Sequence, residues 1–288
     1  FLSYSMLNVC DLSTDGCFTL GCAVACQVAL TGHPILALFA AMAAGVCSGF
    51  VTAFLQTRLG VESIMAGIIV NTGLYTINLA VMGFSSNVSI TGVDTVFSLF
   101  KGLVGGQWSR LILLALIAAV IVIVLIRFFG TSLGLSIRAT GDSLDMVSAS
   151  SINPKATITI GLCLANALTA LSGCLIGEYN KFCDINLGTG MVTIALASLI
   201  IGEVFAGHRG GVGKRIVCVV LGSIVYRFII ALALRLNISA EYFKLVSAVI
   251  VAVAIAAPNM KGYVRLAKIK SNARKLRALS GKGDETDA

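Results

Sequence analysis

The chain has 288 residues, of which 57% are hydrophobic and only 12% are charged, and its formal net charge is +8. Soluble domains carry about 25% charged residues, so the composition excludes an ordinary soluble enzyme or binding domain. Several apolar runs reach the roughly 20 residues that a helix needs to cross a bilayer. Because these runs are unbroken, they also exclude a membrane barrel, whose strands alternate. The sequence therefore predicts an all-α polytopic membrane protein.

The apolar runs predict about nine transmembrane helices. The first run is already under way at Phe1, so we expect the front of a truncated first helix to precede it. The predicted spans are residues 1–9, 16–31, 34–59, 61–83, 110–129, 156–176, 191–201, 216–234 and 243–257. Residues 1–257 are thus predicted to form the transmembrane domain, and residues 258–288 a separate tail.

The tail holds a large share of the positive charge. Its basic residues include Lys261, Arg265, Lys268, Lys270, Arg274, Lys275, Arg277 and Lys282. Positive segments beside a span stay in the cytoplasm, so we predict a cytoplasmic C-terminus that lies on anionic lipid, and no binding of nucleic acid. Alternation of the spans then makes residues 130–154 cytoplasmic, and residues 84–109 and 178–188 external.

The polar segment between the fifth and sixth spans, residues 138–154, is predicted to form a short helix of its own. Asp142 suits the N-cap, and Asp145 suits the first turn, where the helix dipole favours negative charge. Leu144 and Val147 are predicted to share one exposed apolar face, and Pro154 to begin the next helix. The segment is therefore interpreted as a surface helix between two spans; an ordinary surface turn is the alternative.

Asp11 and Asp15 interrupt the apolar sequence between the first two spans. Carboxylates at such a place are costly unless they face water or partners. One interpretation is a discontinuous helix that lines a substrate path near the midplane; the other is a cytoplasmic turn with two capping acids. Further polar candidates for the path, which could equally make hydrogen bonds between helices, are Asn8, Asn71, Asn166 and Glu178.

Sequence signals of an enzyme are absent. The chain has no HExxH and no GxSxG, and its nine cysteines contain no CxxC, so we interpret the cysteines as small apolar residues. Residues 207–215 resemble a phosphate loop in composition, but Arg215 stands where Ser or Thr would hold magnesium. We therefore predict that the chain binds no cofactor and does not itself hydrolyse ATP.

Three groups of segments resemble one family. Residues 11–16, Asp-Leu-Ser-Thr-Asp-Gly, followed by Phe-Thr-Leu-Gly at 18–21, resemble the early signature of permeases of the branched-chain amino acid and ribose importer superfamily. Residues 138–152, with their Gly-Asp and Met-Val-Ser-Ala-Ser-Ser-Ile sequences, resemble the coupling loop of that superfamily. Residues 197–203, 220–227 and 245–258 resemble the subfamily assigned to tryptophan or tyrosine uptake.

This resemblance implies the permease of an ABC importer in a bacterial plasma membrane. Two permease subunits, expected to be identical, would form the pore, and separate ATPase subunits would bind ATP and Mg²⁺. An external or periplasmic binding protein would deliver the solute. The resemblance also implies that the short cytoplasmic helix docks on the ATPase, with the coupling residues Arg138, Gly141, Asp142, Leu144, Asp145, Val147 and Ile152.

The sequence therefore predicts a permease subunit for a small polar solute, an amino acid, with an aromatic one favoured. A sugar or nucleoside permease of the same superfamily is the first alternative. The second is a secondary transporter driven by an ion gradient, in which Asp11 and Asp15 would serve proton coupling. Dependence of transport on a separate ATPase distinguishes the second alternative from the other two.

Overall fold

A computed structural model of the chain describes residues 1–106, 108–150, 152–207 and 211–235, together with residues 249 and 252. The described residues are mostly helical. After a short π-helix at Leu2–Met6, the helices are α1 Thr14–Leu30, α2 Pro34–Thr57, α3 Ser63–Val81, α4 Val96–Val104, α5 Ser109–Phe129, α6 Ser132–Asp142, α7 Leu144–Ala149, α8 Pro154–Asn180, α9 Met191–Ala206 and α10 Val212–Arg235. Two strands are present as well, β1 Asn87–Ser89 and β2 Phe182–Asp184.

Five helices in the described ranges are long and apolar enough to cross a membrane: Pro34–Thr57, Ser63–Val81, Ser109–Phe129, Pro154–Asn180 and Val212–Leu232. Two further apolar helices are shorter, α1 with 17 residues and α9 with 16. The chain is thus a multi-pass membrane protein, while the full count of about nine spans stays a prediction. The predicted ninth span and the predicted tail lie outside the described residues.

The described residues divide into two units. The larger comprises Phe1–Val192 and Gly211–Val217, and the smaller contains what is described of Thr193–Gly210 and Cys218–Ala288. In the smaller unit, the later part of α9 packs on the later part of α10 through the backbones of Gly202 and Gly222, and Tyr226 is buried.

In the larger unit, α2 packs closely along the middle of α8. A Cβ atom on Gly45 would lie 2.5 Å from the Asn166 carbonyl oxygen, and one on Gly49 would lie 2.6 Å from the Leu162 carbonyl oxygen. Both distances are far below a van der Waals contact, so only glycine fits at these two positions. Small residues allow membrane helices to approach in this way, and the approach forms one wall of the site described below.

The predicted all-α fold needs one correction, because β1 pairs with β2 in an antiparallel register of Asn87 with Asp184, Val88 with Cys183 and Ser89 with Phe182. Three-residue strands are too short to show an alternating pattern in the sequence. The pairing joins the loop after α3 to the loop after α8. It therefore brings two loops that were predicted to be external to the same end of this unit.

The segment 84–109, predicted to be a polar loop, also contains α4. Thr95 and Ser98 form a reciprocal capping box at its start, and Phe97 is buried. In addition, α8 continues to Asn180, beyond its predicted end at residue 176. In this last turn the carboxylate of Glu178 is buried against α4, where the Val96 N–H donates to it at 2.9 Å.

The loop 130–154 contains two short helices instead of the one predicted. Asp142 is the last residue of α6, and Ser143 is the N-cap of α7, with its Oγ accepting from the Met146 N–H at 3.4 Å. The prediction of Asp142 as the cap is therefore wrong by one residue. Asp145 lies in the first turn of α7, and Pro154 is at the start of α8, both as predicted.

Candidate functional site

The chain leaves helical geometry between the π-helix and α1, and Asp11 organises this break. Asp11 Oδ1 accepts from the Ser13 N–H at 2.8 Å and from the Ser13 hydroxyl at 2.6 Å. A carboxylate that accepts from the backbone two residues ahead forms a local turn, and α1 begins directly after it, with Ser13 as its N-cap residue. The break therefore follows from the sequence around Asp11.

The second carboxylate oxygen of Asp11 connects the break to α8. Asn166 Nδ2 donates to Asp11 Oδ2 at 2.9 Å, and Asn166 lies near the middle of α8, which runs from Pro154 to Asn180. In a helix that crosses the bilayer, the middle falls near the midplane. The break is therefore packed against the middle of a helix that is long and apolar enough to cross a membrane, and both interpretations of the break stay predictions.

Asp11 and Asn166 belong to a larger group of buried polar side chains, here called the polar cluster: Asp11, Ser13, Ser48, Thr52 and Asn166. Each is at most 7% exposed. The Thr52 hydroxyl contacts the Ser13 hydroxyl at 3.3 Å, so α2 takes part in the cluster. Ser48 and Thr52 were missed by sequence reasoning; their spacing of four residues, which puts both on one face of an apolar helix, was the available signal.

Two oxygens of the polar cluster lack a strong hydrogen bond in the described part of the chain, since Asn166 Oδ1 has no partner and Ser48 Oγ lies only against the Cys17 thiol. A buried polar group without a partner costs about 1–3 kcal/mol. The partners of Asp11 are themselves neutral, since they are Ser13 and Asn166. The cluster thus combines a buried carboxylate with unused oxygen atoms.

Asp15 joins α1 to the first turn of α9. Its two carboxylate oxygens accept from the Gly190 N–H at 2.9 Å and from the Val192 N–H at 2.8 Å. One turn along α1, Thr19 Oγ1 accepts from the Gly188 N–H at 3.1 Å. Asp15 therefore satisfies backbone donors that a helix start leaves unpaired. As a result, α9 begins beside the first turn of α1, at the level of the break.

The other predicted path residues are placed as follows. Asn71 lies against the first turn of α1, where a Cβ on Gly16 would be 2.7 Å from its Oδ1. Asn8 is exposed and has a positive φ of 55°. Glu178 is buried near the other end of α8 and caps α4. The structure thus groups Asp11 with Asn166, places Asp15 on the adjoining turn of α1 with Asn71 of α3 beside it, and leaves Asn8 and Glu178 elsewhere.

The predicted coupling residues divide into exposed and interior ones. Asp142, Leu144 and Asp145 are exposed, with Leu144 at 53%. Val147 is only 1% exposed, so its predicted place on an exposed apolar face is wrong. The helix packs this side against the chain itself. Met146, at 60% exposure, is instead the second exposed apolar residue of α7.

The remaining coupling residues lie further inside. Gly141 packs directly on the Met6 carbonyl oxygen, while Arg138 and Ile152 are partly buried. Among the described residues, no three His, Cys, Asp or Glu side chains are grouped to hold a metal ion. The absence of a bound cofactor stays a prediction.

Comparison with known proteins gives a consistent result. The family described as "Branched-chain amino acid transport system / permease component" matches residues 1–255. The "Tyrosine transport system permease protein" of Clostridioides difficile is 31% identical over 261 residues, which are 90% of this chain and 85% of the relative. An uncharacterized protein of Rickettsia prowazekii is 28% identical over 258 residues, 88% of this chain and 90% of the relative. No solved structure matches.

Proposed function

Because the chain belongs to the permease component family of branched-chain amino acid transport systems, we propose that it is the transmembrane subunit of an ATP-driven importer for an amino acid. The relative named for tyrosine transport favours an aromatic amino acid. The partners are an ABC ATPase, a second permease subunit identical to the first, and an extracellular or periplasmic binding protein. The location is a bacterial plasma membrane, with the C-terminus in the cytoplasm.

The observation that carries this proposal is the buried break at Asp11. Irregular backbone at membrane depth is tolerated where it is buried in protein or lines a cavity. In transporters, discontinuous helices place backbone ends and polar side chains at the midplane, where solute binds. The polar cluster, together with Asp15 on the adjoining turn and Asn71 beside that turn, supplies such groups, and we assign the solute path to this region.

The α6–α7 segment is proposed as the contact with the ATPase. Leu144 and Met146 are exposed apolar residues at 53% and 60%, on a helix of six residues between two full-length spans. A rigid short element at this place would transmit motion of an ATPase to α5 and α8. The acidic residues Asp142 and Asp145 beside Leu144 offer charge for basic groups on the partner.

The test is uptake by proteoliposomes that hold the permease with its ATPase and binding protein. Labelled tyrosine, leucine, ribose and a nucleoside are offered with and without ATP on the ATPase side. We expect ATP-dependent uptake of tyrosine and none with an ATPase that cannot hydrolyse ATP. Uptake of ribose or the nucleoside alone would support the sugar or nucleoside alternative. Uptake that survives the inactive ATPase but collapses with a protonophore would support the secondary transporter.

A further inference from the structure

The polar cluster contains more hydrogen-bond acceptors than the described residues use. Asp11 accepts three hydrogen bonds from neutral groups, while Asn166 Oδ1 has no partner among the described residues and Ser48 Oγ has only the weakly interacting Cys17 thiol. Asn166 is 0% exposed and Ser48 is 4% exposed, so bulk water does not compensate for the missing partners. The amide oxygen of Asn166 can only accept, and the occupant of this space must therefore be a donor or a cation.

The charge of the Asp11 carboxylate decides which kind of occupant fits the polar cluster. The hydrogen-bond partners of the Asp11 carboxylate within the described ranges are all neutral, and a buried carboxylate is stable only when it is well paired. The start of α1 compensates part of the charge, since helix N-termini carry a partial positive charge. An anion would meet Asp11 and two further acceptor oxygens, and it is excluded. A positive group would be complementary to all three.

Size restricts the occupant further. At Gly45 and Gly49 the backbone of α2 lies directly against α8, at the positions of Asn166 and Leu162. Cys17 closes another side, since its Sγ donates to the Asn166 carbonyl oxygen at 3.3 Å. The surroundings of the polar cluster are therefore helix backbones and small side chains, so any occupant must be small.

We propose that the polar cluster binds a small monovalent cationic group, with Asp11, Asn166 Oδ1 and Ser48 Oγ as its ligands. Oxygen atoms of this kind suit a hard cation such as Na⁺, and they also accept the three N–H donors of a primary ammonium group. The ammonium group of the transported amino acid is the second possible source; for that source alone, the inference rests on the proposed function.

The experiment measures the thermal unfolding midpoint of the full-length permease in lipid nanodiscs, without ATPase or uptake. Chloride salts of Na⁺, methylammonium and N-methyl-D-glucamine are compared at constant ionic strength. A ligand that binds only the folded state stabilises it by RT ln(1 + [L]/Kd). We expect Na⁺ or methylammonium to raise the midpoint by about 2–4 °C at several times Kd, in a saturable way, and the bulky N-methyl-D-glucamine to have no effect.

Variants tie this effect to the site. Asp11→Asn should lose the response. Ser48→Ala removes one ligand without charge change and should fold normally while its apparent affinity for the cation falls several-fold. Asp94→Asn is the matched control, because Asp94 is exposed and, among the described residues, its carboxylate accepts a hydrogen bond from Ser98 alone; it should respond like wild type.

The sources separate within the same assay. A response to Na⁺ alone assigns a metal-ion site. A response to methylammonium and to tyrosine, but not to the tyrosine analogue without its amino group, assigns the ammonium group of the solute. Identical midpoints in all three salts would overturn the proposal, and so would a wild-type response in both Asp11→Asn and Ser48→Ala. Since no transport is measured, failure of the proposed importer function would leave this result unaffected.

Discussion

Two interruptions of the apolar sequence differ in opposite ways from what their composition suggests. The break before α1 is polar, yet its polar side chains are buried, and Asp11 is only 7% exposed. The α6–α7 segment lies between two spans, yet it exposes Leu144 at 53% and Met146 at 60%. Buried carboxylates and exposed apolar side chains are both costly without partners. The comparison therefore supports the two proposals made above, a solute path at the break and a partner contact on α7.

The largest effect is expected at the break. Asp11→Ala removes the acceptor for the Ser13 N–H, the Ser13 hydroxyl and Asn166 Nδ2. Each buried group left unpaired costs about 1–3 kcal/mol, so we expect several kcal/mol of destabilisation, measured by unfolding in mixed detergent. Asp94→Ala, at an exposed carboxylate, should change the midpoint little. Equal stability of both variants would contradict a structural role for the polar cluster.

The second effect contrasts two residues of α7. Leu144→Asp should insert and accumulate normally but lose ATPase binding or solute-stimulated ATP hydrolysis. Burial of a Leu side chain contributes about 1.5–3 kcal/mol, which corresponds to roughly 10- to 150-fold in affinity. Val147→Asp places a charge at a position that is 1% exposed and should instead reduce the amount of folded permease. Normal coupling by the Leu144 variant would remove α7 from this role.

A smaller effect is expected at Asp15. Asp15→Asn keeps the shape of the side chain but retains only one acceptor oxygen for the N–H groups of Gly190 and Val192. A hydrogen bond to a charged group contributes about 1.5–3 kcal/mol, so we expect faster hydrogen exchange of the peptide containing residues 188–192. Asp184→Asn, whose carboxylate accepts locally from the Asn186 N–H, should not change that peptide. Unchanged exchange in the Asp15 variant would argue against the link to α9.

The smallest effect is expected from two single substitutions of surface serines by cysteine, which test the proposed orientation. Neither should change transport. Ser86 lies beside β1, Ser148 lies on α7, and both are exposed. In a background without reactive native cysteines, Ser86→Cys should react with an impermeant thiol reagent added to intact cells. Ser148→Cys should react only after permeabilisation. Equal labelling of both from outside would contradict the proposed orientation, in which the β1–β2 end is external and α7 is cytoplasmic.

The sequence predicts the positions of helices well where the apolar runs are long. The run predicted at 34–59 is α2 at Pro34–Thr57, and the one at 110–129 is α5 at Ser109–Phe129, because burial in lipid demands nearly continuous apolar sequence. The amphipathic α4 was not predicted, because its nine residues are too few for a periodic signal. The cap at Ser143 in place of Asp142 depended on where α6 ends, since both residue types cap well.

Only part of the candidate site could be predicted from the sequence. Asp11 and Asp15 stood out because charge is rare within apolar sequence. Their partners did not, because Asn166 is 155 residues from Asp11 in the chain and Gly190 is 175 residues from Asp15. Ser48 and Thr52 were inconspicuous, since single hydroxyl groups in a span commonly bond to their own helix, as Thr52 does to the Ser48 carbonyl oxygen.

The capping of α4 by Glu178 has a consequence for how the β1–β2 end of the larger unit can move. Peeling α4 away from α8 would strand a buried carboxylate without its backbone donor from Val96. Any motion at this end that avoids this energetic cost must therefore move α4 and the last turn of α8 together as one rigid body. The hinge of such a motion would lie outside this contact. A covalent cross-link between α4 and α8 would therefore not prevent the motion.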